Sequence, residues 1–130
     1  LDAPPGTSCP VIAAIRDTDL VLLVTEPTPF GLNDLSLAVD MVRELHIPFG
    51  IIVNRMGSGD ERVQIFCQKE GIPILLEIPD DRRITEAYSR GILMVDALPE
   101  YRQLFESLTE KISKLGKKGR KDLKNANLRI

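Results

Sequence analysis

An unbroken aliphatic run, Leu20-Val21-Leu22-Leu23-Val24, constrains the fold of this chain more than any other stretch. A strand with one wet face alternates polar and apolar residues. This run does not alternate, so both of its faces must be buried. Two further runs of the same character follow, Phe49-Gly50-Ile51-Ile52-Val53 and Ile74-Leu75-Leu76-Glu77-Ile78. Helical patterns separate them, and the connections are short. Strand, helix and strand in this order require right-handed crossovers, which predicts an α/β fold: a three-layer, doubly wound, mainly parallel sheet.

Between the first two strands, Leu32, Leu35, Ala38, Val39, Val42 and Leu45 recur at three and four, predicting a helix of about 14 residues from Gly31. Asn33 and Asp34 fall in its first turn and Pro48 follows its end. Asp60 is the expected cap of a second helix, which carries Val63, Ile65, Phe66 and Cys67 and stops at Gly71. A short helix from Arg83 to about Ser89 ends at Gly91, with Glu86 and Arg90 spaced as an i, i+4 pair. The last predicted helix runs from Pro99 to about Leu115, with Tyr101, Leu104, Phe105, Leu108 and Ile112 on one stripe.

Ligands of open parallel sheets bind outside the carboxyl ends of the strands. The irregular, polar and proline-bearing segments of this chain fall at such ends: Asp2–Ser8, Thr25–Pro29, Asn54–Gly59 and Pro79–Arg83. In the first of these, Asp2 precedes Ala3-Pro4-Pro5-Gly6-Thr7-Ser8, and a helical run opens near Pro10. An aspartate at a strand end can hold the water shell of a Mg²⁺ ion, and a glycine lets the backbone approach an anion closely. Thr7 and Ser8 are candidate caps for that helix. Asn54 carries a donor and an acceptor on one carboxamide, the complement of the N6/N7 edge of adenine.

With 43% hydrophobic residues a sizeable core is expected. Net charge divides unevenly, with −7 on residues 1–115 and +5 on residues 116–130. The second stretch is read as a basic polar tail, solvated at the terminus. No apolar run approaches the roughly 18 residues that a membrane span requires. Neither a nucleic acid nor a membrane is indicated as partner, and a cytoplasmic location is the expectation. Cys9 and Cys67 form no CxxC pair. Cys67 is expected in the core. His46 has no companion, and Met41, Met56 and Met94 are read as packing residues.

Several of these segments together resemble the MinD/Mrp group of P-loop ATPases, relatives of ParA and of the nitrogenase iron protein. Asp2 to Pro10 is similar to their Walker B and switch II segment. The likeness continues through Val24-Thr25-Glu26-Pro27-Thr28-Pro29-Phe30-Gly31, Ile52-Val53-Asn54-Arg55, Gly71-Ile72-Pro73-Ile74, Ile78-Pro79-Asp80-Asp81 and Ala87-Tyr88-Ser89-Arg90-Gly91. It covers about residues 1–112 and is closest to the MinD-like ATPases that carry an inserted ferredoxin-like domain. No glycine-rich Lys-Ser/Thr phosphate loop occurs in the chain. Residues 1–115 are therefore expected to be the carboxyl-terminal half of a MinD/ParA-like nucleotide-binding domain, with the phosphate loop upstream.

The resemblance implies ATP or ADP and Mg²⁺ as ligands, with Asp2 acting on Mg²⁺ through water. It makes Gly6 an amide donor to the γ-phosphate and Asp2–Ser8 the segment that moves between nucleotide states. Asn54 would read adenine, Arg55 would lie beside the base, and Pro79 and Asp80 would close over it through main-chain groups. Cys9 follows Asp2 by the spacing of a cluster-ligating cysteine in the nitrogenase iron protein, which makes it a candidate ligand of a 4Fe-4S cluster. A homodimer and an iron–sulfur or redox client are the implied partners. On its own the 130-residue chain is expected neither to bind ATP tightly nor to hydrolyse it, because phosphate contacts dominate such sites. Two other readings stay open: a non-catalytic α/β interaction module without the phosphate loop, and a MinD-like positioning ATPase.

Overall fold

The computed structural model describes residues 1–127, and side chains as far as Gly116. Its elements are α1 (Cys9–Ile15), β1 (Val21–Thr25), α2 (Pro29–Glu44), β2 (Phe49–Met56), α3 (Arg62–Glu70), β3 (Ile74–Pro79), α4 (Arg82–Ser89), α5 (Met94–Ala97), a 3-10 turn (Pro99–Tyr101) and α6 (Arg102–Asn127). The three strands form one parallel sheet in the order β1-β2-β3. The α/β architecture is the expected one.

Helices cover both faces of β2 and β3, but not of β1: against the expectation for its unbroken aliphatic run, Val24 is 65% exposed, because the α6 layer packs on β2 and β3. On one side Leu35 and Val39 of α2, Ile51 and Val53 of β2, and Val63 and Cys67 of α3 form a single cluster with Ile72. On the other side Ile52, Leu75 and Leu76 pack against Leu108 of α6, with Phe105 and Ile112 alongside. Alternation along β2 therefore sends Ile51 and Val53 to the α2/α3 layer and Ile52 to the α6 layer. Each fully buried aliphatic side chain contributes about 1.5–3 kcal/mol. A third cluster, Ile15, Val21, Val42 and Ile47, closes the end of the sheet where β1 and β2 begin.

Local chemistry sets the boundaries. Helix α2 starts at Pro29 rather than Gly31, because Thr28 Oγ1 accepts from Gly31 N at 3.0 Å and Pro29 occupies the first turn. Asp60 Oδ1 accepts from Arg62 N at 3.0 Å at the start of α3, and Gly71 ends that helix in the left-handed region at φ 65°. Ser8 stands at the cap position of α1 but makes no side-chain cap bond. The expected cap from Thr7 or Ser8 is thus absent, and Pro10 in the first turn is the remaining start signal.

Strand β2 outruns its sequence signal. The residue pattern puts Asn54, Arg55 and Met56 in the loop, yet the strand continues to Met56, which stands opposite Pro79. A register shift between Val53 and Met56 makes this possible, with Arg55 in the left-handed region at φ 55°. A second shift lies between Ile51 and Ile52, whose partners are Ile74 and Leu76. The skipped residue, Leu75, gives its carbonyl oxygen to Lys111 Nζ at 2.7 Å.

Downstream, Glu86 pairs with Arg82 at 3.1 Å and not with Arg90, which lies at the C-cap of α4 outside its helical geometry. The turn of helix at α5 has no signal in the sequence. Helix α6 continues to Asn127 instead of stopping near Leu115. The side chains of the basic tail fall outside the described residues, apart from Gly116. Among the described residues, no helix is long and apolar enough to cross a membrane.

Candidate functional site

Three loops meet where the strands end. Glu26 follows β1, Arg55 lies in the bulged end of β2, and Asp80 follows β3. Arg55 Nε reaches Asp80 Oδ1 at 3.2 Å, and its NH1 lies 3.9 Å from Glu26 Oε2. All three side chains are about half exposed, so each pair contributes at most about 1 kcal/mol. Backbone bonds do more to fix the arrangement. Asp80 N donates to Met56 O at 2.9 Å, Ser58 N and Oγ both donate to Arg55 O, at 3.1 and 2.7 Å, and Asp60 N donates to Pro27 O at 3.3 Å. Gly59 sits so close to Pro27 that a Cβ there would lie 1.6 Å from its carbonyl oxygen.

Asn54 precedes Arg55 in β2. It is half-buried, and among the described residues its carboxamide makes no hydrogen bond. A half-buried amide with both donor and acceptor free is suited to a planar polar ligand such as the edge of a purine. Asn54 and Arg55, near the end of β2, and Pro79 and Asp80, at the end of β3, thus lie at the carboxyl rim of the sheet, where Arg55 meets Asp80.

Asp2 and Gly6 make no hydrogen bond or ion pair with them among the described residues. Both are exposed, Asp2 makes no hydrogen bond or ion pair among the described residues, and a Cβ on Gly6 would meet open space. Between them only Ala3 is packed, against the cluster of Ile15, Val21, Val42 and Ile47 where β1 and β2 begin. Cys9 is exposed at the first residue of α1, while Cys67 is buried and desolvation pushes its thiol pKa up. Among the described residues no group of three or more His, Cys, Asp or Glu side chains could hold a metal ion. Asp2 therefore fits Mg²⁺ only as one carboxylate acting through water, and Cys9 by itself does not make a cluster site.

One network at the rim escapes sequence reading. Asp81 caps α4 by accepting from Arg83 N at 2.9 Å, and its Oδ2 takes bonds from Arg83 NH2 at 2.6 Å and Tyr101 Oη at 2.8 Å. Arg83 NH1 also reaches Glu100 Oε1 at 2.9 Å. The Arg83 side chain, then its backbone amide, then Tyr101 hold the Asp81 carboxyl well below the usual carboxylate range. Burial, reinforced by Asp81, raises the Tyr101 hydroxyl. The effect is to tie the segment beside Pro79 and Asp80 to the start of α6. The only local signal was Asp81 two residues before Arg83 at a helix start. Tyr101 and Glu100 lie too far along the chain to be foreseen.

The molecule is thus a parallel α/β unit with a polar rim at its strand ends. Over 91 residues it is 40% identical to an uncharacterized protein of Methanocaldococcus jannaschii, a match covering 70% of this chain and 30% of that protein. It is 28% identical over 142 residues to the iron-sulfur cluster carrier protein of Pyrococcus horikoshii, covering 94% of this chain and 48% of the relative. The iron-sulfur cluster carrier protein of M. jannaschii is 30% identical over 138 residues, covering 91% and 47%. The chain therefore spans between about a third and a half of the length of these curated relatives. No family model matches it, and no solved structure matches it significantly.

Proposed function

We propose that the intact protein is an ATP-binding and ATP-hydrolysing ATPase of the MinD/Mrp kind, acting in iron–sulfur handling, and that this chain supplies its adenine pocket and switch II segment. The observation that carries the reading is similarity to named iron–sulfur cluster carriers along nearly the whole chain. The free carboxamide of Asn54 on the strand-end rim supports it.

In this reading Asn54 pairs with the N6/N7 edge of adenine through its carbonyl and amide groups. Arg55, held by Asp80 and Glu26, flanks the base, and the Pro79–Asp80 backbone covers it. Gly6 would offer its amide to the terminal phosphate, and Asp2 would hold Mg²⁺ through water, an ion that when bound would neutralise charge on the phosphates. These two residues reach the phosphates with the remainder of the protein in place; here both are exposed, and from Asp2 to Gly6 only Ala3 packs on the core among the described residues. A cluster ligated by Cys9 needs thiolates from elsewhere, most simply from the second subunit of a homodimer. The cytoplasm is the compartment that suits such an enzyme and its iron–sulfur client.

Calorimetric titration of the intact protein tests the assignment. Asn54→Ala should weaken ATP while leaving the affinity for inorganic pyrophosphate and the melting temperature unchanged. Equal ATP affinity in the variant would remove Asn54 from the base site. Asp2→Ala should impair Mg²⁺-dependent turnover, and unchanged hydrolysis would remove that assignment.

A further inference from the structure

A groove runs between β3 and α6. It holds about 350 Å³ and is lined by residues 74–77 of β3 and by Leu104, Ser107 and Lys111 of α6, with none from β2, the one strand that β3 pairs with among the described residues. Leu104, Ser107 and Lys111 recur at three and four, so they share one side of the helix. Leu104 is 38% exposed there, an apolar wall left open. The Lys111 ammonium has three donors and spends one, on Leu75 O at 2.7 Å. Lys114 follows three positions on and is exposed. Neither lysine is ion-paired among the described residues, although Glu110 stands four positions before Lys114. The one carboxylate of the groove, Glu77, lies 3.4 Å from Nε2 of Gln64, on the α3 side of the sheet. The charge of the groove is therefore positive. In the sequence the same spacing continues at Lys118 and Lys121, within the span of α6.

We propose that the groove between β3 and α6 docks an acidic, extended segment of a partner protein, which lies along the edge of β3 and sets its carboxylates against Lys111 and Lys114. Charge and shape select this occupant. An extended peptide can pair with strand backbone, and its side chains alternate, so that every second one meets Leu104 while those between carry charge. An apolar helix would bury two ammonium groups without partners, at a high desolvation cost. A nucleic acid would be repelled by the net charge of −7 on residues 1–115, and the aliphatic groove wall offers its bases no ring to stack on. Pro73 and Pro79 have no backbone N–H and bracket β3, which limits the paired stretch to Ile74–Ile78. The proposal is independent of the ATPase reading.

Fluorescence anisotropy on the intact protein, without nucleotide, tests it. The probe is a fluorescein-labelled peptide of alternating glutamate and valine, about seven residues long. It should bind at least about tenfold more tightly than the same peptide with lysine for glutamate, or with proline at its centre, and should weaken as salt is raised. Lys111→Glu and Lys114→Glu should each weaken it at least about fivefold. Lys114 makes no contact that the fold needs, so its variant decides the matter if Lys111→Glu fails to fold. Amide exchange along Ile74–Ile78 should slow when the peptide is bound. No binding would leave Lys111 as a guard against edge pairing and overturn the proposal. Binding indifferent to Lys114→Glu, or to the central proline, would do the same. So would tighter binding of oligouridylate or of phosphatidylserine vesicles that is lost in the same variants, which would make the partner a nucleic acid or a membrane.

Discussion

Gly59 offers a quantitative test of the rim. A Cβ at this position would stand 1.6 Å from Pro27 O and 2.8 Å from Pro27 C, both backbone atoms that no side-chain rotation can move away. Ordinary contact needs about 3.5 Å, so one loop must shift by roughly 2 Å. That shift overpacks the site, at about 1–3 kcal/mol, and removes the Asp60 N to Pro27 O bond, worth about 0.5–1.5 kcal/mol. Gly59→Ala should therefore lose about 2–4 kcal/mol. Gly57 is the internal comparison: it has φ 95° with open space around it, so Gly57→Ala costs only backbone strain of about 1–2 kcal/mol. Urea unfolding of the two variants with an unchanged m-value measures both. Amide NMR shifts at Glu26 and Arg55 should move in Gly59→Ala and stay in place in Gly57→Ala. A Gly59→Ala loss below about 1 kcal/mol would mean that the two loops are not seated on each other, and the steric reasoning would fail.

Other expectations follow from the caps and the thiols. Thr28→Ala removes the acceptor for Gly31 N and should cost about 1 kcal/mol in chemical unfolding, whereas Ser8→Ala, with no cap bond to lose, should change little. Because the folded-state pKa of Asp81 is depressed, its carboxylate contributes stability above the ordinary aspartate value of about 3.9, and the contribution fades as pH falls below it. Asp81→Asn should accordingly lower the melting temperature at pH 7, with the deficit shrinking below about pH 4 in a thermal series. In native protein a thiol reagent should modify Cys9 and not Cys67; two equivalents before unfolding would contradict the burial of Cys67.

The strands were legible because unbroken aliphatic runs have one physical explanation in an α/β chain. Val21–Thr25 and Ile74–Pro79 each lie within one residue of the expected span. The end of β2 was not legible, since a bulge that puts an arginine at positive φ is settled by pairing with β3 and leaves no local mark. The capping threonine of α2 was present as Thr28-Pro29, but hydrophobic spacing alone placed the start two residues late. At the rim, residue types and strand ends indicated Asn54, Arg55, Pro79 and Asp80. The partners that hold them, Glu26 for Arg55 and the Asp81–Arg83–Tyr101 group beside Asp80, depend on strand order and on where α6 begins. The opening Asp2–Ser8 turn shows the converse limit. Its residues suit phosphate and magnesium chemistry, but what a segment suits does not determine what it packs against.

The sheet order also bears on how the chain is made. Val21 meets Phe49 and Ile51 meets Ile74, so successive strand pairings span only 28 and 23 positions. β2 and then β3, emerging from a ribosome, each find the preceding strand already synthesised, with one crossover helix to fold between them. Loop closure stays inexpensive at every step, and assembly can proceed vectorially from β1 to β3 without waiting for the carboxyl terminus.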